Sequence, residues 1–125
     1  MPKVHDRRGD LTFVEGGVHI PFDIARVYYI YNVPADAERG GHARRRLRQV
    51  IYAMSGSFRL RLDDGSRQED VWLNNPIDGI LIETMVWREI DRFSQGAVLM
   101  CLASEPFDAS EYIRDQALFR QLAAG

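Results

Sequence analysis

Ser57-Phe58-Arg59-Leu60-Arg61-Leu62-Asp63, followed by Asp64-Gly65, decides the fold class. Phe58, Leu60 and Leu62 recur at every second residue with Arg59 and Arg61 between them. That is the pattern of a strand with one dry and one wet face. Asp64-Gly65 reads as a hairpin turn, because glycine accepts a positive φ, and Glu69 to Leu73 returns along the first strand. The same grammar extends outward. Ile24 to Asn32 alternates, with Ile24, Arg26, Tyr28 and Ile30 on one face and Val27, Tyr29 and Tyr31 on the other. Leu11 to Glu15, Leu47 to Met54, Gly79 to Glu83, Val86 to Asp91 and Ala97 to Ala103 are further predicted strands. Gly16-Gly17 and Asn74-Asn75-Pro76 punctuate them. From Asp115 onward the period changes: Ala117, Leu118, Gln121 and Leu122 recur at helical spacing, with Asp115 placed to cap the helix. Eight or so short strands and one terminal helix predict an all-β jelly roll forming a single domain over residues 1–125.

Composition agrees. The chain has 125 residues, 46% apolar and 27% charged, with a formal net charge of -2. Such a chain is globular, and its charge balance gives no general affinity for nucleic acid. No apolar run approaches the ~20 residues of a membrane helix, so no membrane partner is expected. Met1 to Asp10 is polar and lacks a secretory apolar segment, so a cytoplasmic setting is expected. Cys101 is the single cysteine. It excludes an intramolecular disulfide and every multi-thiolate zinc site, and its apolar neighbours make it a buried filler. Lys3 is the only lysine, so fifteen of the sixteen basic residues are arginines. Guanidinium is the better fork for phosphate.

Chemistry concentrates in residues 39 to 56, Arg-Gly-Gly-His-Ala-Arg-Arg-Arg-Leu-Arg-Gln-Val-Ile-Tyr-Ala-Met-Ser-Gly. The spacing follows the first motif of the cupins: His-x-His, three or four residues, Glu, six residues, Gly. Here the positions hold His42, Arg44, Gln49 and Gly56. Residues i and i+2 of a strand share a face, so two imidazoles there can reach one ion. Arg44 has no lone pair to give, Gln49 has no charge, and the counterpart of a second-motif histidine is Arg88. A metal held by a facial triad is not expected, and no cofactor is called for. A cationic pocket for an anion is expected instead, with Arg39 and Arg44 flanking His42. If the strand already begins near His42, alternation also places Arg46 and Arg48 on that face, with Arg45 pointing away.

The chain resembles the nucleoside-diphosphate-sugar 3,4-ketoisomerases, a cupin family acting on dTDP-4-keto-6-deoxyglucose. The stretches that carry the resemblance run from Asp6 to Phe119. They are Asp6-Arg7-Arg8-Gly9-Asp10-Leu11, Ile20-Pro21-Phe22-Asp23-Ile24-Ala25-Arg26-Val27-Tyr28-Tyr29-Ile30, Arg39-Gly40-Gly41-His42-Ala43, Leu62-Asp63-Asp64-Gly65, Val86-Trp87, Ala103-Ser104-Glu105 and Tyr112-Ile113-Arg114-Asp115. The resemblance implies a cupin jelly roll (double-stranded β-helix), metal-free and homodimeric, often with exchanged strands. It also implies a place in deoxysugar biosynthesis, feeding 3-amino sugars for lipopolysaccharide O-antigen or S-layer glycans. The implied reaction moves a ketone from C4 to C3 of a dTDP-linked sugar through an enediolate.

The family pattern His-Ala-His reads His42-Ala43-Arg44 here. His42 is expected to shuttle protons, helped by Tyr28. Arg44 is expected to hold an oxyanion or the pyrophosphate. Arg26, Arg39, Trp87 and Arg88 complete the expected substrate-binding set. Trp87 is a candidate to stack on thymine or sugar, and Arg88 stands where the family places Arg or His. Because Arg44 replaces the second histidine, a noncatalytic nucleotide-sugar-binding cupin of the same pathway is the alternative. A ligand-sensing or partner-binding cupin unrelated to nucleotide sugars is the third reading.

Overall fold

The computed structural model describes residues 2–34 and 36–124, so Met1 and Gly125, the limits of the expected domain, lie outside the described residues. Among the described residues there are eleven strands: β1 (Lys3–Asp6), β2 (Gly9–Thr12), β3 (Arg26–Ile30), β4 (Arg39–Arg44), β5 (Gln49–Ser55), β6 (Phe58–Asp63), β7 (Gln68–Leu73), β8 (Ile80–Ile82), β9 (Trp87–Asp91), β10 (Val98–Ala103) and β11 (Tyr112–Ile113). A 3-10 turn, Ala109–Glu111, precedes β11, and helix α1 (Gln116–Ala124) ends the fold. Two antiparallel sheets form the jelly roll, one ordered β3-β10-β5-β8 and the other β11-β4-β9-β6-β7, while β1 and β2 make a separate hairpin.

The alternating patterns become faces as expected. Phe58 and Leu60 are fully buried, and Leu60 lies opposite Ile90 and Val71. In the other sheet Leu99 sits between Ile30 and Ala53. These residues, with Ile51, Phe93 and Cys101, form the principal core between the sheets. Ala117 N and Leu118 N bond to the Asp115 carboxylate at 2.9 and 3.3 Å, so Asp115 caps α1 as predicted. α1 buries Phe119 against Trp87, Ala43 and Ile113, closing the outer face of the larger sheet. No helix among the described residues is long and apolar enough to cross a membrane.

Three expectations need correction. The first strand is not Leu11 to Glu15. Gly9–Thr12 pairs with Lys3–Asp6 across a turn in which Gly9 has φ +127° and the Asp6 carboxylate accepts from Arg8 N at 2.7 Å. This hairpin is largely exposed and carries no alternating apolar signal. Residues 42 to 54 are not one strand either: β4 ends at Arg44 and β5 begins at Gln49. Arg46, Arg48 and Arg44 therefore do not share a face. The break is held by the buried Glu111 carboxylate, which accepts from Arg46 N and Leu47 N at 2.9 and 3.0 Å. Arg46 reaches outward to Glu111 and Asp108, and Arg48 donates to Pro21 O at 3.0 Å. Third, β4 and β11 form two strands that sequence periodicity missed. A glycine pair hides the alternation of the first, and the second has only two residues.

Candidate active site

β4 holds two positive-φ glycines, Gly40 at +87° and Gly41 at +69°. Opposite β9, Gly40 pairs with Glu89 and His42 with Arg88, so Gly41 is an extra residue, a β-bulge. The bulge shifts the side-chain parity by one. As a result Arg39 and His42, three residues apart, both reach the space between the sheets. Glycine is needed at position 40 on two counts: its φ, and the 2.8 Å at which any Cβ would meet Arg88 O.

That space is a cavity of about 290 Å³. β3 contributes Arg26, Tyr28 and Ile30. β4 contributes Arg39, Gly40 and His42. Arg88 and Ile90 come from β9, Ile51 from β5, and Tyr112 and Arg114 from β11 and the residue after it. Ile51 and Ile90 also belong to the core, so the floor of the cavity is the upper layer of the packed interior.

The charge of this cavity is one-signed. Its lining has four guanidiniums and no carboxylate. Among the described residues, none of Arg26, Arg39, Arg44, Arg88 and Arg114 makes an ion pair, whereas Arg46, Arg59 and Arg61 on other surfaces do. Arg44 is 1% exposed, and its Nε and Nη2 have no hydrogen-bond partner. Its guanidinium lies 3.9 Å from the centre of the Tyr112 ring, which Arg114 approaches at 4.5 Å. Arg88 is 2% exposed, donates to Gln49 Oε1 and to Val86 O at 3.0 Å, and keeps Nε unpartnered. Burying unpaired cations is costly, so their placement suits an anion that arrives from outside.

The His42 ring lies 4.7 Å from Tyr112, centre to centre, with Nδ1 buried and unpartnered. Burial first, then the Arg88 charge and the charges of Arg44 and Arg114, push its pKa down to about 4, against an opposing hydrogen bond that the ring donates to the Gly40 backbone carbonyl. The imidazole is therefore neutral at pH 7 and free to accept a proton. Tyr28 behaves oppositely: burial, reinforced by Cys101, raises its pKa well above the ordinary phenol value, so it holds its proton. Arg88, although burial lowers its pKa to about 10, remains a cation. A neutral base, a protonated phenol and fixed cations over one small cavity can remove a carbon-bound proton and stabilise the oxyanion that results.

Of the residues expected from sequence, the structure brings His42, Tyr28, Arg26, Arg39 and Arg88 to this cavity. Arg44 lies behind it, stacked on Tyr112 and felt by His42 as a charge. Trp87 is not brought there. Alternation along β9 turns Arg88 inward and Trp87 outward, where Trp87 is 5% exposed and packs on Phe119 with ring centres 5.7 Å apart. An indole sealed under α1 cannot stack on an occupant of the cavity. Tyr112 and Arg114 are cavity residues outside the expected set, and Gln49, read from sequence only as a motif position, lies buried against Tyr28 and Arg88. The i, i+2 spacing of Tyr112 and Arg114 was a usable signal, but their strand was too short to register.

Comparisons with known proteins agree with this geometry. The family model described as "FdtA: WxcM-like, C-terminal" matches residues 1–124. TDP-4-oxo-6-deoxy-alpha-D-glucose-3,4-oxoisomerase of Aneurinibacillus thermoaerophilus is 39% identical over 122 residues, 98% of this chain and 88% of that protein. A histidine-to-asparagine variant of the 3,4-ketoisomerase QdtA from Thermoanaerobacterium thermosaccharolyticum, in complex with TDP-4-keto-6-deoxyglucose, superposes with a TM-score of 0.95. It is 40% identical, covering 98% of this chain and 88% of that one. A 3,4-ketoisomerase from Helicobacter canadensis superposes with a TM-score of 0.96 at 40% identity, covering 99% and 93% of the two chains.

Proposed function

The chain belongs to the FdtA (WxcM-like, C-terminal) family, and on that premise we propose that it is a TDP-4-keto-6-deoxyhexose 3,4-ketoisomerase. The observation that carries the reading is the neutral, cation-surrounded imidazole of His42 facing a cavity whose lining has no carboxylate. His42 takes the proton from C3 of the sugar. The C–H electron pair becomes the C3=C4 bond, and the carbonyl pair moves to O4. Arg88 faces that developing charge, and Tyr28 supplies a proton to O4. The 3-hydroxyl then returns a proton to Tyr28 as its electrons form the C3 ketone, and the proton held by His42 is delivered to C4. Atoms and electrons balance, and no external oxidant or reductant takes part.

Arg26, Arg39 and Arg114 ring the same cavity and fit the diphosphate, a division of labour supported by their lack of carboxylate partners. Trp87 drops out of the substrate set in this reading, since its ring is buried away from the cavity. Its test is incubation with TDP-4-keto-6-deoxyglucose in D₂O: deuterium is expected at C3 of the recovered substrate and at C4 of the 3-keto product. TDP binding without any exchange would leave a noncatalytic binding protein instead.

The reading extends to assembly and setting. We take residues 1–125 as one domain that dimerises. Val27 and Tyr29 on the outer face of β3, an edge strand of its sheet, and Tyr31 just past its end are 51%, 59% and 59% exposed. Such an apolar edge favours coverage by a second copy, and the exposed β1–β2 hairpin is the segment suited to exchange. A cytoplasmic place in lipopolysaccharide or related glycan assembly belongs to the same proposal.

Arg44, where the family pattern has a second histidine, acts here through its charge. Removing it takes away one cause of the low His42 pKa. For Arg44→Met, the acid limb of kcat/KM is expected to move up from near pH 4 toward the ordinary imidazole value of ~6.5. A pH profile of C3 exchange measures it; an unmoved limb would mean that Arg44 does not act on His42.

A further inference from the structure

Gln49 is completely buried on β5 and lies between two residues of the site. Its side-chain oxygen accepts from Arg88 Nη1. Its nitrogen donates to Tyr28 Oη at 2.9 Å and to Cys101 Sγ at 3.2 Å. This orientation is chemically forced. A guanidinium has donors and no acceptor, so the amide must turn its oxygen to Arg88. Its nitrogen is then committed to Tyr28 and Cys101. The strand register explains why the three meet. Tyr28 and Cys101 are directly opposed across β3 and β10, and Gln49 lies one pair along on the same inner face, opposite Ala103.

The consequence falls on the phenol. Because Tyr28 Oη accepts from Gln49, its own hydrogen must point elsewhere. Among the described residues its other partner is the Cys101 sulfur, a weak acceptor already taking the second Gln49 hydrogen. A ketone or enediolate oxygen entering the cavity is the better acceptor. We infer that Gln49 is a positioning residue for the isomerisation: locked by Arg88, it holds Tyr28 as a hydrogen-bond donor aimed at the carbonyl oxygen of the sugar. The inference rests on the ketoisomerase reading and adds to it a relay from Arg88 through Gln49 to Tyr28, with Cys101 as a passive resting partner.

Gln49→Glu is the sharp test. It keeps the shape and strengthens the contact with Arg88, but a carboxylate accepts where the amide donated, so Tyr28 must turn its hydrogen to residue 49. The expected result is a 10- to 100-fold fall in kcat for C3 exchange, with TDP affinity and KM within about threefold of wild type. The variant should match Tyr28→Phe, and the Gln49→Glu/Tyr28→Phe double variant should be no slower than either single one. A Gln49→Glu rate equal to wild type would overturn the inference. So would losses that multiply in the double variant, because the defect would then run through Arg88 alone. A second measurement needs no turnover. In the His42→Asn background, the infrared carbonyl band of bound TDP-4-keto-6-deoxyglucose should lie below its position in water. It should shift back when Gln49→Glu is added. An unchanged band would sink the relay even with the fold intact. Absence of C3 exchange in the wild-type protein would instead sink the ketoisomerase reading, so the two failures are separable.

Discussion

His42→Asn should reduce deuterium exchange at C3 by about 10²–10⁴-fold, the range that a positioned general base contributes, while TDP still binds. In energy this is about 3–5 kcal/mol of transition-state stabilisation. The expectation follows from solitude as much as from position: His42 is the one imidazole lining the cavity, and the phenol beside it is already protonated at rest, so it cannot act as the base. Asparagine fills the same space and can hold a hydrogen bond, but cannot take a proton at neutral pH. Titration of the variant with TDP, followed by exchange at saturating keto sugar, separates binding from chemistry. Exchange within tenfold of wild type would remove His42 from the proton path.

The wild-type pH dependence has a definite sign. The His42 pKa in the folded protein, about 4, lies below the unfolded value of ~6.5. Between those values the unfolded chain binds the extra proton, so this group's contribution to stability is complete above about pH 6.5. It is lost as the pH falls toward 4. Activity through His42 follows the folded value and should persist to lower pH than a free imidazole would allow.

Arg88→Met should lower kcat by about 10²–10³-fold, as removal of one preorganised oxyanion donor does. Arg88 and His42 are cross-strand partners on β9 and β4 and line the cavity side by side, so the group that takes the proton and the cation that meets the developing charge are neighbours on one face. Two secondary effects check the assignment. The His42 pKa should rise, because Arg88 is the largest charge acting on it, and Gln49 should lose the contact that orients its amide. Stability should change far less than activity. A buried cation with an unpartnered Nε is expensive to keep, and methionine fills its stem volume without that cost. A fall in TDP affinity with kcat unchanged would place Arg88 on the diphosphate and move the oxyanion role to another guanidinium.

The apolar-alternating strands, the terminal helix and the motif position of His42 are legible in the sequence, because they rest on short-range regularities. Leu60 between Arg59 and Arg61, Tyr28 between Val27 and Tyr29, and Asp115 ahead of an apolar period each report a local backbone choice, and the structure kept all three. The motif spacing at His42, Arg44 and Gln49 likewise needs only neighbours along the chain. Other features depend on which strand lies beside which. The bulge at Gly41 brings Arg39 into register with the cavity, yet it exists only against β9. The buried Glu111 that separates Arg44 from Arg46 is 65 residues from its partner. Trp87 is a candidate stacking platform by sequence, but α1 covers it through Phe119. The low pKa of His42 and the enforced orientation of Gln49 come from desolvation and from the charges of Arg88 on β9, Arg44 on β4 and Arg114 just after β11. Such forces act through space, and a one-dimensional pattern carries no record of them.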